Sequence, residues 1–166
     1  MKKLIIATVF SGLVLVSCQK ADKEEMYPAN NSITETTAKT TGSGWLPVVF
    51  TAGSADDKGK VTAEGTLSSD VITDEILADG IVLLFSKDEN AVNMLPYQNA
   101  STEWNYTVSK GQIDVTAVGN EAVKASSIQY VVVPASKIAE LEKTGYSRND
   151  LVNISFEKAS ALFGLQ

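Results

Sequence analysis

"WNYTVSKGQIDVTAV", Trp104 to Val118, sets apolar or aromatic residues against polar ones with a period of two, twice over. Trp104, Tyr106 and Val108 fall on one face of a first strand, and Ile113, Val115 and Ala117 on one face of a second. Ser109 to Gln112 joins them, so the stretch predicts an antiparallel hairpin with one buried and one wet face. Upstream, "VTAEGTL" (Val61 to Leu67) alternates in the same way. Before it stand "WLPVVFT", rich in β-branched and aromatic residues, and the turn-forming "GSADDKGK", which together predict a second antiparallel pair.

Two stretches break the alternation. "IVLLFS", Ile81 to Ser86, is a continuous apolar run of strand length, as expected of a central strand buried on both faces. "SIQYVVVP" reads as a further strand ended by Pro134. Helical signals lie between and after these. Ile72, Ile76 and Leu77 have helical spacing ahead of Gly80, and "ASKIAELEKTG" suits a short helix ended by Gly145. "SFEKASALFG" has Ser155 as N-cap, Phe156, Ala159 and Phe163 along one side, and Gly164 at its end. With no repeating βαβ rhythm, the order predicts a mainly β chain: an antiparallel β-sandwich-like or small α+β domain with a short helical insert and a C-terminal helix.

The chain of 166 residues is 44% hydrophobic and carries a formal charge of -6. Its lysines are scattered, so no electrostatic footprint for nucleic acid is present. With no histidine, it lacks the usual general base near neutral pH and the commonest transition-metal ligand. The N-terminus reads differently from the rest. Met1, Lys2 and Lys3 precede an apolar run from Leu4 to Val16, as in a secretory signal, and the run falls short of the about 20 residues that a transmembrane helix needs. From Glu25 to Gly44 the composition is that of a linker, spanning with the preceding residues roughly 25–30 Å on average. The expected organisation is a signal peptide over 1–17, an anchored cysteine with flexible linker over 18–44, and a β-rich domain over 45–166.

Leu15, Val16, Ser17 and Cys18 resemble a bacterial lipobox. The resemblance implies that Cys18 becomes the first mature residue and carries lipid, and Gln19 in place of Asp implies the outer membrane. Several acyl chains hold firmly where one is marginal. Lys20, Asp22, Glu24 and Glu25 resemble the acidic export tag of surface lipoproteins of Bacteroidota, which implies a surface-exposed domain; read instead as a solvated linker charge cluster, they leave the periplasmic face equally open. "ITDEILADGIVLLFSK", "MLPY", "YTVSKGQIDVTAV" and "IQYVVVPAS" are similar to a group of small lipoproteins of Bacteroidota with no catalytic residues to transfer, although Ala135 stands where that pattern has a glycine.

Candidate chemistry is sparse. Acids cluster at Asp56 and Asp57, at Asp74, Glu75 and Asp79, and at Asp88 and Glu89, all beside turn residues that such acids commonly cap. Asp88, Asn90 and Asn93 lack the spacing of a calcium loop. Trp45, Tyr97, Trp104 and Tyr106 are candidate binding aromatics, since flat rings stack on sugars and anchor protein partners, although strand aromatics more often fill cores. No catalytic residue, metal or cofactor is expected. The expectation is a membrane-anchored, noncatalytic domain binding a protein or glycan at the cell envelope. The alternative is a carboxylate-dependent hydrolase of envelope or external polysaccharide, which requires two acids facing each other across a cleft.

Overall fold

The computed structural model describes residues 39–88 and 91–165. Their strands are β1 (Thr41–Gly42), β2 (Leu46–Val49), β3 (Thr51–Ala55), β4 (Val61–Ser68), β5 (Ile81–Lys87), β6 (Val92–Met94), β7 (Tyr97–Gln98), β8 (Thr102–Ser109), β9 (Gln112–Gly119) and β10 (Ala125–Val133). The helix α1 (Asp74–Asp79) precedes β5, and α2 (Ala135–Lys143), α3 (Arg148–Val152) and α4 (Phe156–Phe163) follow β10.

These strands form two five-stranded antiparallel sheets, which with the helices make a β-sandwich-like α+β domain. The outer sheet runs β3-β4-β9-β8-β7 and contains the hairpin anticipated at Trp104 to Val118, with Ser109 opposite Gln112 and Gly111 at φ 74°, a backbone region open to a residue without Cβ. The middle sheet runs β1-β10-β5-β6, with β2 also paired to β10. Leu84, Ile128 and Tyr130 of the middle sheet meet Ala63, Leu67, Ile113 and Val115 of the outer one to form the first core. Leu83, Phe85, Val131 and Val133 point the other way, onto Ile138, Leu141, Leu151, Ile154 and Ala159 of the helical tail, and form the second. β5 is therefore buried on both faces, as its unbroken apolar run requires.

Four local expectations are corrected. "WLPVVFT" is not one strand: Leu46–Val49 pairs with β10 in the middle sheet, whereas Thr51–Ala55 pairs with β4 in the outer sheet. The chain changes sheets at Phe50, whose buried ring packs edge-on against Trp104 at 5.6 Å. Ordered pairing also begins before Trp45, because Thr41 and Gly42 lie opposite Val132 and Val131, and the Ser43 N–H donates to the Tyr130 carbonyl at 3.0 Å. Small polar residues suit a two-residue edge strand as well as they suit a linker. Ile72 precedes its helix rather than joining it, since the Thr73 side chain caps α1. Finally, α3 is an additional helix, started by a reciprocal capping box between Ser147 and Asp150.

Candidate functional site

At the end of the middle sheet an open hollow of ≈ 690 Å³ is lined by Trp45, Lys87, Asp88, Trp104, Ser126 and Ser127, with Pro47 beside them. The register explains the convergence. Ser127 of β10 lies opposite Pro47 on one side and Lys87 on the other, so three neighbouring strands deliver one row of residues to this rim. Trp45 stands just ahead of β2, where its half-buried ring rests against Phe156 of α4 at 5.4 Å between centroids. The Lys87 ammonium lies 5.7 Å from the centre of the same ring, a cation–π contact made by an exposed and flexible side chain. Trp104 belongs to the core between the sheets and reaches the hollow only with its small exposed remainder, 7%.

Two of the four anticipated binding aromatics, Trp45 and Trp104, thus meet at one hollow, and Tyr97 and Tyr106 do not. Tyr97 is half-buried and stacks on Trp104, with centroids 6.0 Å apart and planes 8° from parallel. Its hydroxyl accepts from the Ser86 hydroxyl at 3.1 Å. Tyr106 donates its hydroxyl to the Val82 carbonyl at 3.0 Å, which ties the two sheets together. Burial pushes both phenols above their ordinary range. Both rings pack half-buried against the first core, away from the Trp45 hollow. Lys87, Ser126 and Ser127 carried no signal in the sequence beyond lying at the polar ends of apolar strands, and only the strand register shows that they adjoin Trp45.

The acidic clusters do turn and cap work. Asp56 Oδ1 accepts from the Lys58 and Lys60 amides at 2.9 and 2.8 Å, Asp88 Oδ1 accepts from the Ala91 amide at 2.8 Å, and Asp74 in the first turn of α1 pairs with Lys110. Among the described residues, Asp88 contributes the only carboxylate to the lining of the Trp45 hollow. Another hollow, against α3 and α4, likewise carries one, Asp150. Ser147, donating from its hydroxyl and its backbone amide, holds the Asp150 carboxyl below its ordinary range. Backbone and Ser155 hydrogen bonds do the same for Glu157 at the start of α4. A general acid for glycoside cleavage needs the opposite shift. Among the described residues, no group of three or more metal-ligating side chains occurs, and no helix is long and apolar enough to cross a membrane. Cys18, Lys20, Asp22, Glu24 and Glu25 lie outside the described residues. The chain matches no family model and no curated protein.

Proposed function

We propose that the domain is a noncatalytic binding module, anchored at the cell envelope through lipid on Cys18 and engaging its ligand at the Trp45 hollow. Of the two ligand classes anticipated, protein and glycan, the hollow favours a glycan. The observation that carries this reading is the composition of its lining: an aromatic ring bordered by an ammonium, one carboxylate and two serine hydroxyls, open to solvent along the sheet end. An aromatic ring offers a flat surface to the C–H face of a sugar, and short polar side chains around it meet hydroxyls. A protein hot spot is typically a closed, desolvated apolar pocket, which an open rim of serines and charges does not resemble. Outer-membrane location and outward display rest on the resemblance of residues 15–25 to a lipobox and an acidic export tag.

The test is affinity electrophoresis of the full chain through gels containing bacterial envelope polysaccharide, beside the variants Lys87→Ala and Ser127→Ala. Both changes alter the rim and spare the apolar core. Retardation of the native chain, reduced in both variants at unchanged thermal stability, is the expected result. No retardation of the native chain relative to a polysaccharide-free gel, or the same relative retardation in all three proteins, overturns the glycan reading.

A further inference from the structure

A second hollow, of ≈ 460 Å³, opens beside the first, where Lys39, Thr40, Gly42 and Gly44 of the entering chain face Gln129 of β10 and Phe163 at the end of α4. Gln129 is 1% exposed, yet among the described residues its Oε1 has no hydrogen-bond partner. Thr40 Oγ1 and Ser160 Oγ of α4 are buried and likewise without a partner among the described residues. An unpaired buried acceptor carries its full desolvation penalty with nothing to offset it. Nothing in the packing demands an amide at this position, since Val131 and Val133 fill the same face of β10 with aliphatic groups. The register places Gln129 directly opposite Phe85 on one side, and on the other the chain between the Gly42–Val131 and Leu46–Ile128 pairs, which holds Trp45, passes it. Phe156 covers both of those rings, with centroids 5.2 Å from Phe85 and 5.4 Å from Trp45. A polar group thus sits in an aromatic surround at the margin of an open hollow.

We propose that this hollow is a second carbohydrate subsite, taking one sugar ring whose neighbouring hydroxyls meet the Gln129 amide and the Thr40 hydroxyl while its C–H face lies on Phe163. The proposal rests on the glycan reading of the Trp45 hollow and extends it. A primary amide both donates and accepts, as a sugar hydroxyl does, so the two groups satisfy each other without any net charge. The terminal torsion of glutamine is broad and two-fold, so the amide turns either its oxygen or its nitrogen toward the ligand. Among the described residues no carboxylate lines the hollow and Lys39 is the one charged side chain, so this lining suits a neutral ligand. Gly42 lets Leu165, just past α4, come close to β1: a Cβ there would stand 2.9 Å from Leu165 Cδ2. Ser127 in the first hollow and Gln129 in the second are alternate residues of one strand, about 7 Å apart.

The experiment is a titration of the ¹⁵N-labelled full chain in detergent micelles with methyl β-D-glucoside, methyl β-D-galactoside and N-acetylglucosamine, following the Gln129 side-chain amide and the Trp45 indole by NMR. The expected result is a saturable shift of the Gln129 amide with at least one of the three. In Gln129→Leu, affinity at this hollow, read from the Phe163 and Gly164 amides, falls about tenfold or more. Melting temperature in that variant is equal or higher, because the orphaned acceptor is gone. A Gln129 amide that no probe shifts, or a Gln129→Leu variant with native affinity at Phe163, overturns the proposal. Response at Trp45 with silence at Gln129 removes the second subsite and leaves the first. Response at Gln129 with silence at Trp45 keeps the second subsite and removes the reading of the first.

Discussion

β5 and β9 are near-equal in length, and each lies between two partners inside a five-stranded antiparallel sheet. Their side chains divide differently. Along β9 the buried residues Ile113, Val115 and Ala117 alternate with Asp114, Thr116 and Val118, whereas Ile81 to Ser86 of β5 are buried or half-buried without a break. The backbones do the same job; what differs is what lies on the second face. α2, α3 and α4 cover the middle sheet, and nothing among the described elements packs on the outward face of the hairpin. Periodicity in an antiparallel strand therefore reports the number of layers around it rather than the type of sheet it joins.

That contrast can be broken at its strongest point. Phe85 is fully buried, points at the helices and meets Phe156 edge-on at 5.2 Å, so Phe85→Ala should cost about 3–5 kcal/mol in urea unfolding. A loss under 1 kcal/mol would show that the helical layer is not a load on the middle sheet. Next in size is Gly65→Ala on β4, where a Cβ would stand 2.6 Å from Val48 Cγ1 and 3.2 Å from the Phe50 ring. The closeness of the two sheets at this point predicts a loss of about 1–3 kcal/mol, read as a lowered urea midpoint with unchanged slope.

A smaller effect concerns the helices alone. The Asp150 carboxyl is held below its ordinary value of 3.8 by Ser147, so its folded form releases a proton more readily than the unfolded chain. The stability it contributes is present above that ordinary value and is lost as pH falls through the lower folded value. Melting curves taken downward from pH 5 should therefore decline less steeply in Asp150→Asn than in the native protein, and identical slopes would remove the carboxylate from this role. The smallest effect is expected on the uncovered face. Thr107→Ala, at an exposed site on β8, should alter stability by no more than about 0.5 kcal/mol, which calorimetry can check.

Much of this architecture is legible in the sequence because single residues punctuate it. Ser155 and Gly164 bracket α4, the glycine with φ 69° in the left-handed region, and both signals stand in the sequence at the observed ends. The hairpin from Thr102 to Gly119 is equally plain. What escapes is non-local. The sheet change at Phe50 leaves no mark in "WLPVVFT", since both halves have strand composition and only the distant partners β10 and β4 separate them. Two-residue strands such as Thr41–Gly42 are too short to show a period. For the candidate site, the aromatic residues could be named, but not which of them would be consumed by the core. Tyr106 and Trp45 look alike on the page, and the hydrogen bond from Tyr106 to Val82, across the two sheets, decides the matter for one of them.

The pairing of β5 with β10 also imposes an order in time. Every strand of the outer sheet lies within Thr51–Gly119, so that sheet can be completed before β10 is synthesised. β5 cannot: on one side it has only the three residues of β6, and its long edge waits for Ala125–Val133. Until then the most apolar run of the domain, "IVLLFS", is a strand with an open edge on a chain still emerging, the kind of segment that recruits another copy of itself. Because β4 pairs with β9 and β5 with β10, the two closures interleave along the chain, and the outer sheet, when it closes, carries β5 and β6 in the connection between its own β4 and β7. Long-range antiparallel pairing of this kind belongs to the slow range of folding, milliseconds to seconds. The hazard in making this protein is therefore concentrated in one interval of its synthesis, from the appearance of Ile81 to the arrival of Val133.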